Sequence, residues 1–109
     1  MGPRLATSVL AGALIRKAEG EGGFAAVLAK GDPTSGAILL ILTEKGGNPR
    51  VLERVLQPGG DYAWHQAVGN PAEVPDFVAR RQRFDPDLWI IELDIPSAER
   101  FTAEMTGFD

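Results

Sequence analysis

Within RRQRFDPDLWIIELD, residues 80–94, the side chains of Arg80, Arg81 and Arg83 precede those of Asp85 and Asp87, so guanidinium donors and carboxylates crowd together. Three guanidinium groups at one helix end offer fixed, forked donors to phosphate or carboxylate, the chemistry of a small-anion or nucleotide-like site. The same residues also have a structural use. Basic side chains in a last helical turn complement the helix dipole, Arg80 stands four residues after Asp76, and Arg81 or Arg83 can reach the carboxylates beyond the turn. That use weighs more, because clustered charges usually form a solvated face. His65 is the one histidine of the chain and the natural general base near neutral pH. With Asp85 or Asp87 it would make the minimal acid-base set of a hydrolase or transferase. In YAWHQ, strand alternation puts Tyr62, Trp64 and Gln66 on one face and Ala63, His65 and Ala67 on the other. Trp64 then either anchors a partner at a sheet edge or seals the core.

Other chemistry is excluded by composition. One histidine and no cysteine remove the common zinc sites, and the carboxylates Asp85, Asp87, Glu92 and Asp94 already have arginines beside them. No metal and no cofactor are expected, and no residue is assigned as catalytic. A chelator should leave the melting temperature unchanged, and a reproducible shift with magnesium, calcium or zinc would contradict this. GDPTSG, residues 31–36, lacks the lysine and following helix of a phosphate-binding loop and reads as a turn, and no G-x-S-x-G elbow occurs. A net charge of -4 gives no general basis for phosphate neutralisation, so duplex DNA is not an expected partner. The most apolar run, AILLIL from Ala37 to Leu42, is far below the roughly 20 residues of a membrane helix. The N-terminal apolar run is broken by Thr7, Ser8 and Gly12 and meets Arg16 and Lys17, which argues against a secretory signal. A cytoplasmic location follows as the expectation, with which the lack of cysteine agrees.

The elements that must hold these residues are legible from periodicity. Thr7 or Ser8 can cap a helix carrying Val9, Leu10, Ala13, Leu14 and Ala18, and glycines 20, 22 and 23 end it. Phe24–Lys30 reads as a strand, Ala37–Thr43 as a central strand covered on both faces, and Arg50–Gln57 as its return across an EKGGNP connection. YAWHQAV makes the fourth strand. Val74, Phe77, Val78 and Arg81 then share a helical face in a helix whose start is disputed between Pro71 and Pro75. Asp85 and Pro86 end that helix in a turn, and Leu88–Ile95 is the last strand. Trp89, Ile91, Leu93 and Ile95 alternate onto one face and Leu88, Ile90, Glu92 and Asp94 onto the other. Ser97 can cap a short helix with Phe101, Met105 and Phe108 at helical spacing.

The expected architecture is one α+β domain over residues 1–109 with a mainly antiparallel sheet of about five strands and two main helices. Its order is α-β-β-β-β-α-β plus a short C-terminal helix, with residues 97–109 as a C-terminal extension. The stretch ALIRKAEGEGGFAAVLAKGDPTSGAILL together with RRQRFDPDLWIIELD resembles a small bacterial family classified only as a domain of unknown function. The Gly-Asp turn before an apolar strand, and the Arg-rich helix end before an Asp-Pro-Asp-Leu-Trp strand, carry that resemblance from Leu5 to Asp94. It implies a compact cytosolic bacterial protein and transfers no catalytic residue. The functional expectation is a non-enzymatic module that binds another protein or itself through exposed sheet or the terminal helix. An anion binder acting through Arg80, Arg81 and Arg83 is the alternative, and an enzyme using His65 with Asp85 or Asp87 stands third.

Overall fold

A computed structural model describes residues 5–105 of the chain. Five strands form one sheet in the order β1-β5-β2-β3-β4. They are β1 (Phe24–Ala29), β2 (Ile38–Glu44), β3 (Gly47–Leu56), β4 (Tyr62–Gln66) and β5 (Trp89–Asp94). All neighbours run antiparallel except β2 and β5, which are parallel. The α+β class and the element order read from the sequence are those of the structure. Continuous apolarity of β2 has the expected cause, since it lies at the middle of the sheet with Ile38 to Thr43 all buried.

Helices cover both faces. On one face, α1 (Thr7–Gly20) and α3 (Ala98–Glu104) pack Leu10, Leu14, Phe101 and Met105 against Leu40, Leu42, Trp89, Ile91 and Leu93. On the other, α2 (Val74–Phe84) brings Val74, Phe77 and Val78 onto Leu39, Ile41, Val51, Leu88 and Ile90. β5 therefore alternates between the two cores as its sequence implies. Phe101 and Met105 are fully buried within the chain, so the apolar side of α3 is not a free surface. Phe108, expected on the same helical face, lies outside the described residues. Lys17 joins the two helices, donating to Glu104 at 2.6 Å and to Glu21 at 2.8 Å. No helix among the described residues is long and apolar enough to cross a membrane.

Three local expectations are corrected. Neither Thr7 nor Ser8 caps α1: the N-cap is Ala6, and the first-turn amides of Thr7 and Ser8 donate to the carbonyls of Thr34 and Pro33. This tertiary tie turns the helix so that Thr7, Leu10, Ala11, Leu14 and Ala18 are buried while Val9 is 51% exposed. The β2–β3 connection is shorter than EKGGNP suggests. Lys45 and Gly46 alone make the turn, both at positive φ (53° and 77°), as a two-residue hairpin turn of matching twist requires. Both disputed prolines turn out to be usable. Pro71 opens a short 3-10 turn capped by Asn70, whose carboxamide oxygen accepts from the Ala72 amide, and Pro75 sits in the first turn of α2.

Candidate functional site

The arginines do not converge. Successive helical positions are about 100° apart, so Arg80 and Arg81 leave α2 in different directions. Arg80 and Arg83 are exposed. Arg81 leans across the sheet, its Nε donating to Glu53 Oε1 of β3 at 2.6 Å, and so pairs with neither Asp85 nor Asp87. The expected Asp76–Arg80 ion pair does not form among the described residues. With both partners of the Arg81–Glu53 pair partly exposed, solvent screening keeps its worth small. Arg81→Ala should cost at most about 1 kcal/mol in chemical denaturation. A loss above about 2 kcal/mol would mean that the pair anchors α2.

Asp85 acts on its own turn. Its Oδ1 accepts from the Asp87 amide at 3.1 Å and its carbonyl accepts from the Leu88 amide at 3.2 Å, while the Asp87 side chain is exposed. His65 is exposed on β4, opposite Glu53, and its Nε2 lies 3.3 Å from Gln57 Nε2. No contact among the described residues joins it to Asp85 or Asp87, so those three do not form one site. Trp64 is half-buried and packs against the α1 side of the core. No group of three or more metal-ligating residues occurs among the described residues.

The two motifs meet elsewhere. The Trp89 indole N–H donates to the Asp32 carbonyl at 2.8 Å, the Asp32 amide donates to the Asp87 carbonyl at 3.0 Å, and the Trp89 amide donates to the Ala37 carbonyl at 2.8 Å. The approach is so close that a Cβ on Gly31 would stand 2.1 Å from the Asp87 carbonyl oxygen, and one on Gly36 2.5 Å from it. The Asp32 carboxylate organises the loop by accepting from the Ser35 amide (2.7 Å), the Ser35 hydroxyl (3.0 Å) and the Thr34 amide (3.2 Å). These bonds, led by the Ser35 amide, hold its carboxyl below the ordinary carboxylate range. A depressed folded-state value contributes stability above the ordinary range and loses it as pH falls through the depressed value. The melting temperature of the parent should accordingly decline more steeply below pH about 4 than that of Asp32→Asn. Parallel acid profiles would show that the carboxylate does not hold the loop.

A cleft of about 250 Å³ opens beside this corner between Thr7, Thr34, Ser35, Arg54 and Tyr62, where the Arg54 guanidinium lies 4.0 Å over the Tyr62 ring. Much of its polar lining is already committed. Thr7 Oγ1 donates to the Gly36 carbonyl at 2.8 Å, the Ser35 hydroxyl donates to Asp32, and the α1 amides are taken by carbonyls 33 and 34.

A surface that the motifs did not mark lies at β1. This strand is one margin of the sheet, and no strand of the described residues lies beyond it. FAAVLA contains neither a charge nor a proline, and Phe24 is 75%, Val27 45% and Leu28 54% exposed. A bulge between Val27 and Ala29 is its one built-in protection against further pairing. Sequence reading missed this edge because strand order is a tertiary property. The available signal was an apolar strand without a clear polar alternation, FAAVLA.

A family model described as a protein of unknown function, DUF1491, matches residues 5–103. The crystal structure of a DUF1491 family protein from Caulobacter crescentus CB15 is 32% identical with a TM-score of 0.81, covering 89% of this chain and 94% of that one. An NMR structure of a DUF1491 family protein from the same organism has the same identity and TM-score over 93% and 94%. The solution structure of a protein from A. tumefaciens is 25% identical with a TM-score of 0.77, covering 92% of this chain and 93% of that one. No curated protein matches the chain.

Proposed function

The chain belongs to the DUF1491 family of proteins of unknown function, and on that premise we propose that it is a non-enzymatic module that binds an extended polypeptide segment along β1. The carrying observation is an uncharged edge strand with Phe24, Val27 and Leu28 exposed. Edge backbone groups supply sequence-independent hydrogen bonds to an added strand, while apolar side chains on both faces supply affinity. Two of the candidate groups support this choice by being occupied, Arg81 by Glu53 and Asp85 by its own turn, and the exposed Arg80 and Arg83 do not converge with Arg81 on one site. The lack of cysteine is in keeping with work in a reducing cytoplasm.

An NMR titration of the labelled protein with a short, uncharged strand-forming peptide tests the reading. Amide shifts should concentrate in residues 24–29 and in β5 behind them. Shifts centred on Arg80 and Arg83, together with binding of inorganic phosphate, would favour the anion-site alternative instead.

A further inference from the structure

The opposite margin of the sheet carries a different chemistry. Cross-strand partners share a face, so the pairs Leu52↔Gln66 and Arg54↔Trp64 stand on the α1–α3 side, where Leu52 and Trp64 meet the core. Arg50, opposite Leu42, and Tyr62 join that face by alternation. It holds no carboxylate: Glu53, the one acid of β3, is turned to Arg81 of α2, and β4 has none. The packing of α1 is on β1 and β5 and that of α3 on β2, so much of this face lies past both helices.

Arginines and aromatic rings are interleaved there. The Arg54 guanidinium lies 4.0 Å over the Tyr62 ring and is opposite Trp64 in the register. Arg50 is half-buried, and its side chain has no hydrogen bond or ion pair among the described residues. Each end of the face is concave, with the cleft of about 250 Å³ at Arg54 and Tyr62 and one of about 340 Å³ at Arg50, Gln66 and Asn48. Four strand residues, roughly 13 Å, separate the two arginines. Carboxylates of the adjoining elements are engaged, Asp32 by its loop, Glu44 by the Ala98 amide and Glu104 by Lys17, while the exposed Asp61 and Glu99 lie outside the two strands.

We propose that this face of β3 and β4 binds a short stretch of single-stranded nucleic acid, with a phosphate on Arg50 and bases stacked on Trp64 and on the Arg54–Tyr62 pair. Unpaired bases offer flat faces to aromatic rings and guanidinium planes, and sheet surfaces bearing such groups are a common platform for them. The span from Arg50 to the Arg54–Tyr62 pair calls for more than one nucleotide. A duplex hides its base faces, and the net charge of -4 gives it no general attraction, so stacking has to carry the affinity. The dissociation constant should be on the order of 100 µM, at the weak end of sequence-independent binding.

An NMR titration of the labelled full chain with an oligothymidylate of about eight nucleotides reads this directly. The Trp64 indole N–H and the amides of residues 50–54 and 62–66 should shift, while the buried Trp89 indole, bonded to the Asp32 carbonyl, stays in place. Residues 24–29 should not respond, which keeps the outcome independent of the β1 reading. Log affinity should fall with log salt at a slope between about -0.7 and -1.4, as for one or two phosphates on a single strand. Arg50→Gln should reduce that slope by about 0.7 with the melting temperature kept, since it removes no side-chain bond within the chain. No shifts at about 1 mM oligonucleotide, ten times the expected dissociation constant, overturn the proposal. So does an Arg50→Gln chain with the parent's slope, or an equal response at the same residues to a matched duplex or to polyglutamate, which would make the face a site for any polyanion.

Discussion

Trp89→Ala should lower the free energy of unfolding by about 3 to 5 kcal/mol, the range for truncating a large buried aromatic side chain. Trp89 is 5% exposed and packs in the α1–α3 core, so its removal leaves a cavity there beside Ile38, its partner in the β2–β5 register. The loss also reaches the loop, since the indole N–H is the donor to the Asp32 carbonyl. Trp89→Phe should fall between parent and alanine variant, because most of the volume stays and one hydrogen bond of about 1 kcal/mol goes. Asp87→Asn, at an exposed side chain whose backbone does the work, should change stability by about 0.5 kcal/mol or less. Chemical denaturation of the set gives the order. Equal stability of Trp89→Ala and parent would mean that residues 85–89 do not hold the sheet and are free to serve a ligand.

Gly31→Ala is expected to destabilise by about 3 kcal/mol or more, with failure to fold as the extreme. The added Cβ would meet Asp87 O at 2.1 Å and the carbonyl carbons of Asp87 and Leu88 at 2.7 Å. All are backbone atoms, so no side chain can turn aside, and relief requires separating the loop from the corner and breaking the Asp32–Asp87 backbone hydrogen bond. Gly59→Ala is the matched control, as a Cβ there meets nothing within 4 Å. It should stay within about 0.5 kcal/mol of the parent. Comparable midpoints for the two variants in urea would contradict the close fit between residues 31–36 and 85–89.

What could be read beforehand divides by range. The α+β class, the element order, the doubly buried β2 and the face assignments of β5 follow from local periodicity and are as read. The turn at Asp85 and Pro86 is equally local, and the structure supplies its hydrogen bonds. Pairings set by tertiary approach were not legible. Arg81 bonds to Glu53, 28 positions away, instead of to the aspartates that follow it. The face of α1 is fixed by carbonyls of a loop more than twenty residues on, not by its own cap. The likeness of the two motifs to a bacterial family was legible, but not that they interlock through the Asp32–Asp87 and Trp89–Asp32 hydrogen bonds. Trp64 was weighed as the edge anchor, whereas the more apolar margin is β1.

Backbone amide hydrogen exchange with and without the short, uncharged strand-forming peptide tests most directly the claim that β1 is the working surface and the Arg-rich corner a structural joint. Without peptide the amides of residues 24–29 that face away from β5 should exchange rapidly, while those of β5 and β2 stay protected. With peptide the same β1 amides should become protected, with no change over residues 80–89. Exchange in β1 that the peptide leaves unchanged, alongside a peptide-dependent change confined to residues 80–89, would contradict the account.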